Sequence, residues 1–152
     1  AVALLEILVN KQVQQTTQEK QANTSSTSQT LFNLKLLAYE RIILFIERIK
    51  PDSFIPRTLS PSLPYQEYQL LLINEIRKEF EYNLSQQLYL SENAWEVTVN
   101  FKDNIITLIN SAATSCPPQA TASDLARKIL EHYISSDLKG DQISKIVKAE
   151  IQ

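Results

Sequence analysis

One histidine, one cysteine and a run of carboxylates are the residues of this chain whose chemistry could be put to work. His132 stands beside Glu131, but neighbours on a helix point about 100° apart and do not converge on one ligand. A zinc site drawn from histidine and cysteine would have only His132 and Cys116 to use, too few donors for a closed coordination shell. A di-iron bundle needs a second histidine. A Ser–His or Cys–His hydrolase would have to recruit His132, which the pattern puts on a solvated, charged helix surface with no nucleophile motif near it. The only glycine is Gly140, which excludes the glycine-rich loops that cradle phosphates or dinucleotides. The residues imply no enzyme, cofactor, metal or small-molecule substrate.

Glu67, Glu75, Glu79 and Glu81 form the densest acidic group. Arg77 and Lys78 lie among them, with Arg77 and Glu81 four apart and Glu75 and Lys78 three apart. That spacing describes a solvated, salt-bridged helix face. Residues 125–150, LARKILEHYISSDLKGDQISKIVKAE, could instead form a helix-turn-helix with Lys145 and Lys148 on its second helix. Asp141 would then face phosphates at the entering end, which weakens a DNA-binding reading. The net charge of −2 also supplies no general attraction to nucleic acid or anionic lipid.

The elements that would carry these residues are helical. Length (152 residues) suits one domain plus a tail, and an apolar fraction of 43% is ordinary for a globular chain. A single glycine argues against a turn-rich β-sandwich or barrel. Cys116 stands alone, so no intrachain disulfide forms. The chain holds no methionine, which points to a processed or trimmed product.

The central element is YQEYQLLLINEIRKEFEYNLSQQLYL (65–90), with Tyr68, Leu72, Ile73, Ile76, Phe80, Leu84 and Leu88 on one helical stripe. A preceding helix over 31–50 carries Leu34, Ala38, Ile42, Phe45 and Ile49 on one stripe and Leu36, Tyr39, Ile43 and Ile46 on another. Pro51 ends it. Four prolines in 51–64 describe a stiff, extended connector, with Phe54 and Ile55 as plugs into the core and Pro64 near the next helix start.

Residues 92–114 carry two competing signals. Trp95, Val97, Val99 and Phe101 alternate with polar residues, as in a hairpin. The helical alternative puts Trp95, Thr98, Val99, Lys102, Ile106 and Ile109 on one face, with Ala94, Phe101, Ile105 and Ala112 beside it, and Ser91 as cap. After Pro117 and Pro118, Thr121 and Asp124 make a capping box for a helix over 122–136 with Leu125, Ala126, Ile129, Leu130, Tyr133 and Ile134 inward. Gly140 supplies a turn, and Asp141 caps a short last helix with Ile143, Ile146, Val147 and Ile151 inward.

Two segments precede all this. AVALLEILV (1–9) is apolar but too short to span a bilayer. It reads as a short packed helix or as the tail end of a membrane helix, with Glu6 its one charge. KQVQQTTQEKQANTSSTSQT (11–30) has too little apolar surface to order itself, and NTSSTSQT (23–30) reads as a flexible linker.

AYERIILFIERIKP (38–51) and EIRKEFEYNLSQQLYLSENAWE (75–96) resemble a family of uncharacterised bacterial proteins found mainly in Bacteroidota. The likeness covers 31–137. It rests on Tyr39, Glu40, Arg41, Phe45, Glu47 and Arg48 in the first motif, and on Glu79, Phe80, Asn83, Leu84, Gln86, Gln87, Leu88, Tyr89 and Trp95 in the second. Such proteins look like a single N-terminal membrane helix, a polar linker and a small all-α domain. The resemblance implies helix for 92–114 and favours AVALLEILV as the remains of an anchor.

The expected architecture is therefore all-α: an antiparallel bundle of four helices plus a short C-terminal one over 31–152, preceded by a separate apolar helix and linker over 1–30. The helices over 31–50 and 65–90 would pair at its centre. The expected role is a non-catalytic interaction or scaffold domain at the cytoplasmic face of a bacterial inner membrane, associated through residues 1–10. Asn83, Gln86, Gln87 and Trp95 would border the surface for a protein partner or second copy. The alternative is a soluble, cytoplasmic DNA-binding regulator using 125–150.

Overall fold

Nothing between Val2 and Ile49 breaks a helix: the chain has neither glycine nor proline before Pro51. The computed structural model, which describes residues 2–151, accordingly makes this one continuous helix, α1 (Val2–Ile49). Two expectations are corrected at once. The apolar start is not a separate helix, and NTSSTSQT is helical rather than a flexible linker. Threonine is accommodated within the helix rather than driving it. Thr16, Thr17, Thr24, Thr27 and Thr30 each turn their hydroxyl back onto the carbonyl four residues earlier, at 2.8–3.0 Å, instead of drawing the backbone out of the helix.

The chain divides into two compact units, Ala1–Leu36 and Leu37–Gln152. In the first, every side chain described from Ala3 to Lys35 is exposed. In the second, six helices surround one apolar core. After the end of α1 come α2 (Pro51–Thr58), α3 (Tyr65–Tyr82), α4 (Glu92–Thr114), α5 (Ala122–Ser135) and α6 (Gly140–Ala149), with a 3-10 turn over Leu84–Tyr89. No strand occurs among the described residues; Pro64 and Thr121 make an isolated bridge that sets the first turns of α3 and α5 side by side. The hairpin alternative for 92–114 is thereby excluded. Ser91 caps α4, its hydroxyl accepting from the Ala94 N–H at 3.0 Å.

Tyr39, Ile42, Phe45, Ile46 and Ile49 of α1, Tyr68, Leu72 and Ile76 of α3, Phe101, Ile105 and Ile109 of α4, and Leu125 and Ile129 of α5 fill the core. The expected central pair is not the closest one. Backbones approach most closely among α3, α4 and α5, with α2 against α5 and α6 against α4. Alanines explain the choice: Ala94, Ala112, Ala113, Ala122 and Ala126 are buried on α4 and α5, whereas α1 presents Ile42, Phe45 and Ile46, whose bulk holds helix axes apart.

Four further expectations change. The connector after Pro51 is not extended: Pro51 sits at the first position of α2, where its missing N–H costs nothing, and α2 tolerates Pro56 inside it. Phe54 and Ile55 are nonetheless buried, as the plug reading requires. Helix α3 stops at Tyr82 rather than running to 90, so Leu84 and Leu88 leave the stripe and Leu88 is 82% exposed. Leu34, Ile134 and Ile146, expected inward, are exposed. Gly140 is the first residue of α6 with no positive φ, and Lys139 takes the cap position expected of Asp141.

Candidate functional site

Asn83 ends α3 by bonding its own helix. Its Nδ2 donates to the Glu79 carbonyl at 2.7 Å, its backbone sits at φ −104°, ψ 2°, and the chain tightens into the 3-10 turn. This gathers Asn83, Gln86 and Gln87 on one short stretch. Gln86 donates weakly to Ser85 Oγ (3.4 Å), and Gln87 is exposed. Trp95 belongs to a different element. It is half-buried on α4 and stacked on Phe80, ring centroids 5.3 Å apart and planes at 24°; Phe80 in turn meets Phe45 at 5.9 Å. The Lys102 ammonium lies 4.0 Å from the Phe80 ring centre. Of the expected partner residues, the three amides lie together in the turn after α3, while Trp95 packs on Phe80 from α4.

The α3 carboxylates also sort differently from their spacing. Among the described residues neither Arg77–Glu81 nor Glu75–Lys78 forms an ion pair. Glu79 instead turns across to α1: its Oε1 accepts from Arg48 Nε (3.0 Å) and Nη2 (2.6 Å), with Arg57 Nη1 at 3.7 Å. Hydrogen bonding to Glu79 holds the Arg48 guanidinium above its ordinary pKa. Glu79 is only 18% exposed, and its Oε2 is buried without a partner. A carboxylate in that position is tolerable because two guanidiniums share its charge.

Next to this pair a groove of about 360 Å³ opens between α1 and α3, lined by Arg41, Leu44, Phe45, Arg48, Tyr82 and Asn83. Tyr82 is 75% and Leu44 58% exposed. Sequence reading missed Arg41, Leu44 and Tyr82 as a set, although one signal was available. Leu37, Arg41, Leu44 and Arg48 recur every three or four residues and so share a face of α1, a stripe neither wholly apolar nor wholly charged.

His132 is half-buried in a second groove, of about 710 Å³, between α4 and α5. Asn104, Thr107, Ser111 and Ser135 line it, so hydroxyls do surround the histidine, contrary to the bare charged surface expected. Ser135 donates to the Glu131 carbonyl at 3.0 Å, which leaves it a local helix-end bond rather than a nucleophile pointed at His132.

Lys50, just past the end of α1, is buried and ties α1 to α6. Its ammonium meets Asp141 at 2.7 Å and Glu47 at 2.8 Å. Burial works against its charge, but these hydrogen bonds outweigh the loss and lift its pKa above the ordinary lysine value. The hydrogen bond from Lys50 lowers the pKa of both Glu47 and Asp141. Gly140 is required here by close approach: a Cβ would overlap the Lys50 stem, and its N–H donates to the Tyr133 hydroxyl at 3.1 Å.

A family model matches the chain over residues 1–152. The chain belongs to the family of unknown function DUF7935. No curated protein and no solved structure matches it. In this DUF7935 chain the motif residues Arg41, Phe45, Arg48, Glu79, Phe80 and Asn83 therefore converge on one corner of the second unit, joined by the Arg48–Glu79 pair and the Phe45–Phe80 contact.

Proposed function

We propose that this chain is a non-catalytic interaction or scaffold domain, held at the cytoplasmic face of a bacterial inner membrane by the apolar start of α1. One observation carries the reading. Leu4, Leu5, Ile7, Leu8 and Val9 are all exposed, and at about 100° per residue they spread over an arc of about 200°, with Glu6 and Asn10 on the remaining side. An apolar arc that wide, with a polar strip opposite, exceeds the seam a single partner helix covers and suits a helix lying in the membrane interface. No helix among the described residues is long and apolar enough to cross a membrane, so the contact proposed is insertion into one leaflet, with Lys11 at the headgroups. Glu6 would lie near the interface, where a carboxylate costs less than at the bilayer centre.

Flotation with phospholipid vesicles tests the tether. The intact chain is expected to float, and replacing Leu4, Leu5 and Leu8 together by Ser should return it to the bottom fraction. A wild-type chain that stays at the bottom would refute the tether. The interaction face is assigned to Asn83, Gln86 and Gln87, with Trp95 at its border and Tyr82 and Leu88 exposed beside it. Pull-downs unchanged after replacing all four would count against it.

The DNA-binding alternative is less well supported. Lys145 and Lys148 are exposed on α6, but Asp141 occupies its first turn, where a phosphate would approach.

A further inference from the structure

Charge in the groove between α1 and α3 does not balance. Arg41 and Arg48 line it from α1, against the single carboxylate of Glu79 from α3. Glu79 is already committed to Arg48 and Arg57 through Oε1, and its Oε2 is closed to solvent. Arg41, by contrast, makes no ion pair and no side-chain hydrogen bond among the described residues, and the Arg48 side chain stays 41% exposed. Leu44 and Tyr82 stand exposed beside them, over buried Phe45. A helix laid along this face of α1 meets a guanidinium, an aliphatic side chain and a second guanidinium at successive turns.

We propose that this groove receives an acidic amphipathic helical segment of another protein, one carboxylate on Arg41 and an apolar side chain from the neighbouring turn on Leu44 and Tyr82. Guanidinium forks pair with carboxylates bidentately, which gives such a segment its direction. The adjoining apolar side chains supply the burial typical of helix-in-groove recognition. The inference rests on the interaction reading above and names the partner's chemistry.

Fluorescence anisotropy of the full chain with a labelled peptide carrying Glu-x-x-Leu-x-x-x-Glu, and with its Gln counterpart, tests this. The Glu peptide is expected to bind at least about tenfold more tightly at low salt, with the difference narrowing as salt rises. Arg41→Glu should abolish the preference, and Leu44→Ser should weaken both peptides alike. Both positions are exposed, and an unchanged thermal melt confirms that each variant folds. Equal binding of the two peptides, no binding, or a preference that survives Arg41→Glu would overturn the proposal. So would self-association of the chain that Arg41→Glu disrupts, because the occupant would then be a second copy. Vesicle flotation and the pull-downs judge the parent reading separately, so failure here with those intact sinks the groove assignment alone.

Discussion

Gly140 and Lys50 show how one residue type can be dictated by its neighbour's stem. Replacing glycine by alanine inside a helix ordinarily stabilises by about 1 kcal/mol. At Gly140 the added methyl would overlap the Lys50 methylenes, which Glu47 and Asp141 hold in place. Gly140→Ala is therefore expected to destabilise by about 1–3 kcal/mol, the usual cost of overpacking, as read by urea unfolding. A gain in stability would show that Lys50 can move aside freely. Tyr68 is a second test at this scale. It is wholly buried, with its hydroxyl 2.9 Å from Thr58 Oγ1, and burial raises its pKa. Tyr68→Phe should cost about 1 kcal/mol in the same assay, the net worth of one hydrogen bond.

Helix α6 is tied to the rest of its unit by a cluster of polar contacts. Val147 and Ser144 are its buried side chains beyond Gly140. Around them, Asp141 binds Lys50, Ser144 donates to Glu47 at 2.9 Å, and Glu150 accepts from Asn93 at 2.6 Å, from Tyr39 at 3.3 Å and from Ser91. Hydrogen bonds from Ser91 and Asn93 hold Glu150 below its ordinary pKa, as Lys50 does for Glu47 and Asp141. The sign follows from linkage: a lowered carboxylate pKa stabilises the fold above the unfolded value, and that stability is lost as pH falls through the folded value. Protection of α6 amides from hydrogen exchange should therefore drop between neutral pH and about pH 3, before that of α4. Lys50 acts here only by lowering the two carboxylates, since its own charge is constant through the acid range and its raised pKa matters only in strong alkali. Equal loss in α4 and α6 would mean that the carboxylates do not govern α6 in particular.

For the molecule as a whole, the two units should differ sharply in what holds them. The described side chains from Ala3 to Lys35 bury nothing, so removing residues 1–34 should leave the unfolding free energy of the second unit within about 0.5 kcal/mol. Conversely, a peptide of residues 2–36 should be largely non-helical in water. Its serines, threonines and asparagines are weak helix formers, and no tertiary face supports it. Circular dichroism of that peptide should show helix appearing on addition of vesicles if residues 2–9 insert as proposed. A peptide equally helpless with and without lipid would count against the tether.

Chain composition and periodicity determined a good deal unaided: a mainly helical fold with 92–114 open between helix and hairpin, the end of α1 before Pro51, the Ser91 cap, and the Thr121–Asp124 start of α5, where the Thr121 N–H donates to Asp124 at 3.0 Å. These are local matters of hydrogen bonds within a few residues, and residue types report them directly. Tertiary structure alone decided the rest. Spacing along α3 put Glu79 on a solvated, salt-bridged face, but it turns inward to a salt bridge with Arg48, 31 residues away in sequence. Hydrophobic period extended α3 to Leu88, yet the helix ends at Tyr82, where the Asn83 side chain bonds back to the Glu79 carbonyl, and Leu84 and Leu88 face outward. Whether a charged or greasy side chain is spent inside the molecule or left facing outward depends on what another element brings beside it, and that is set when the helices pack.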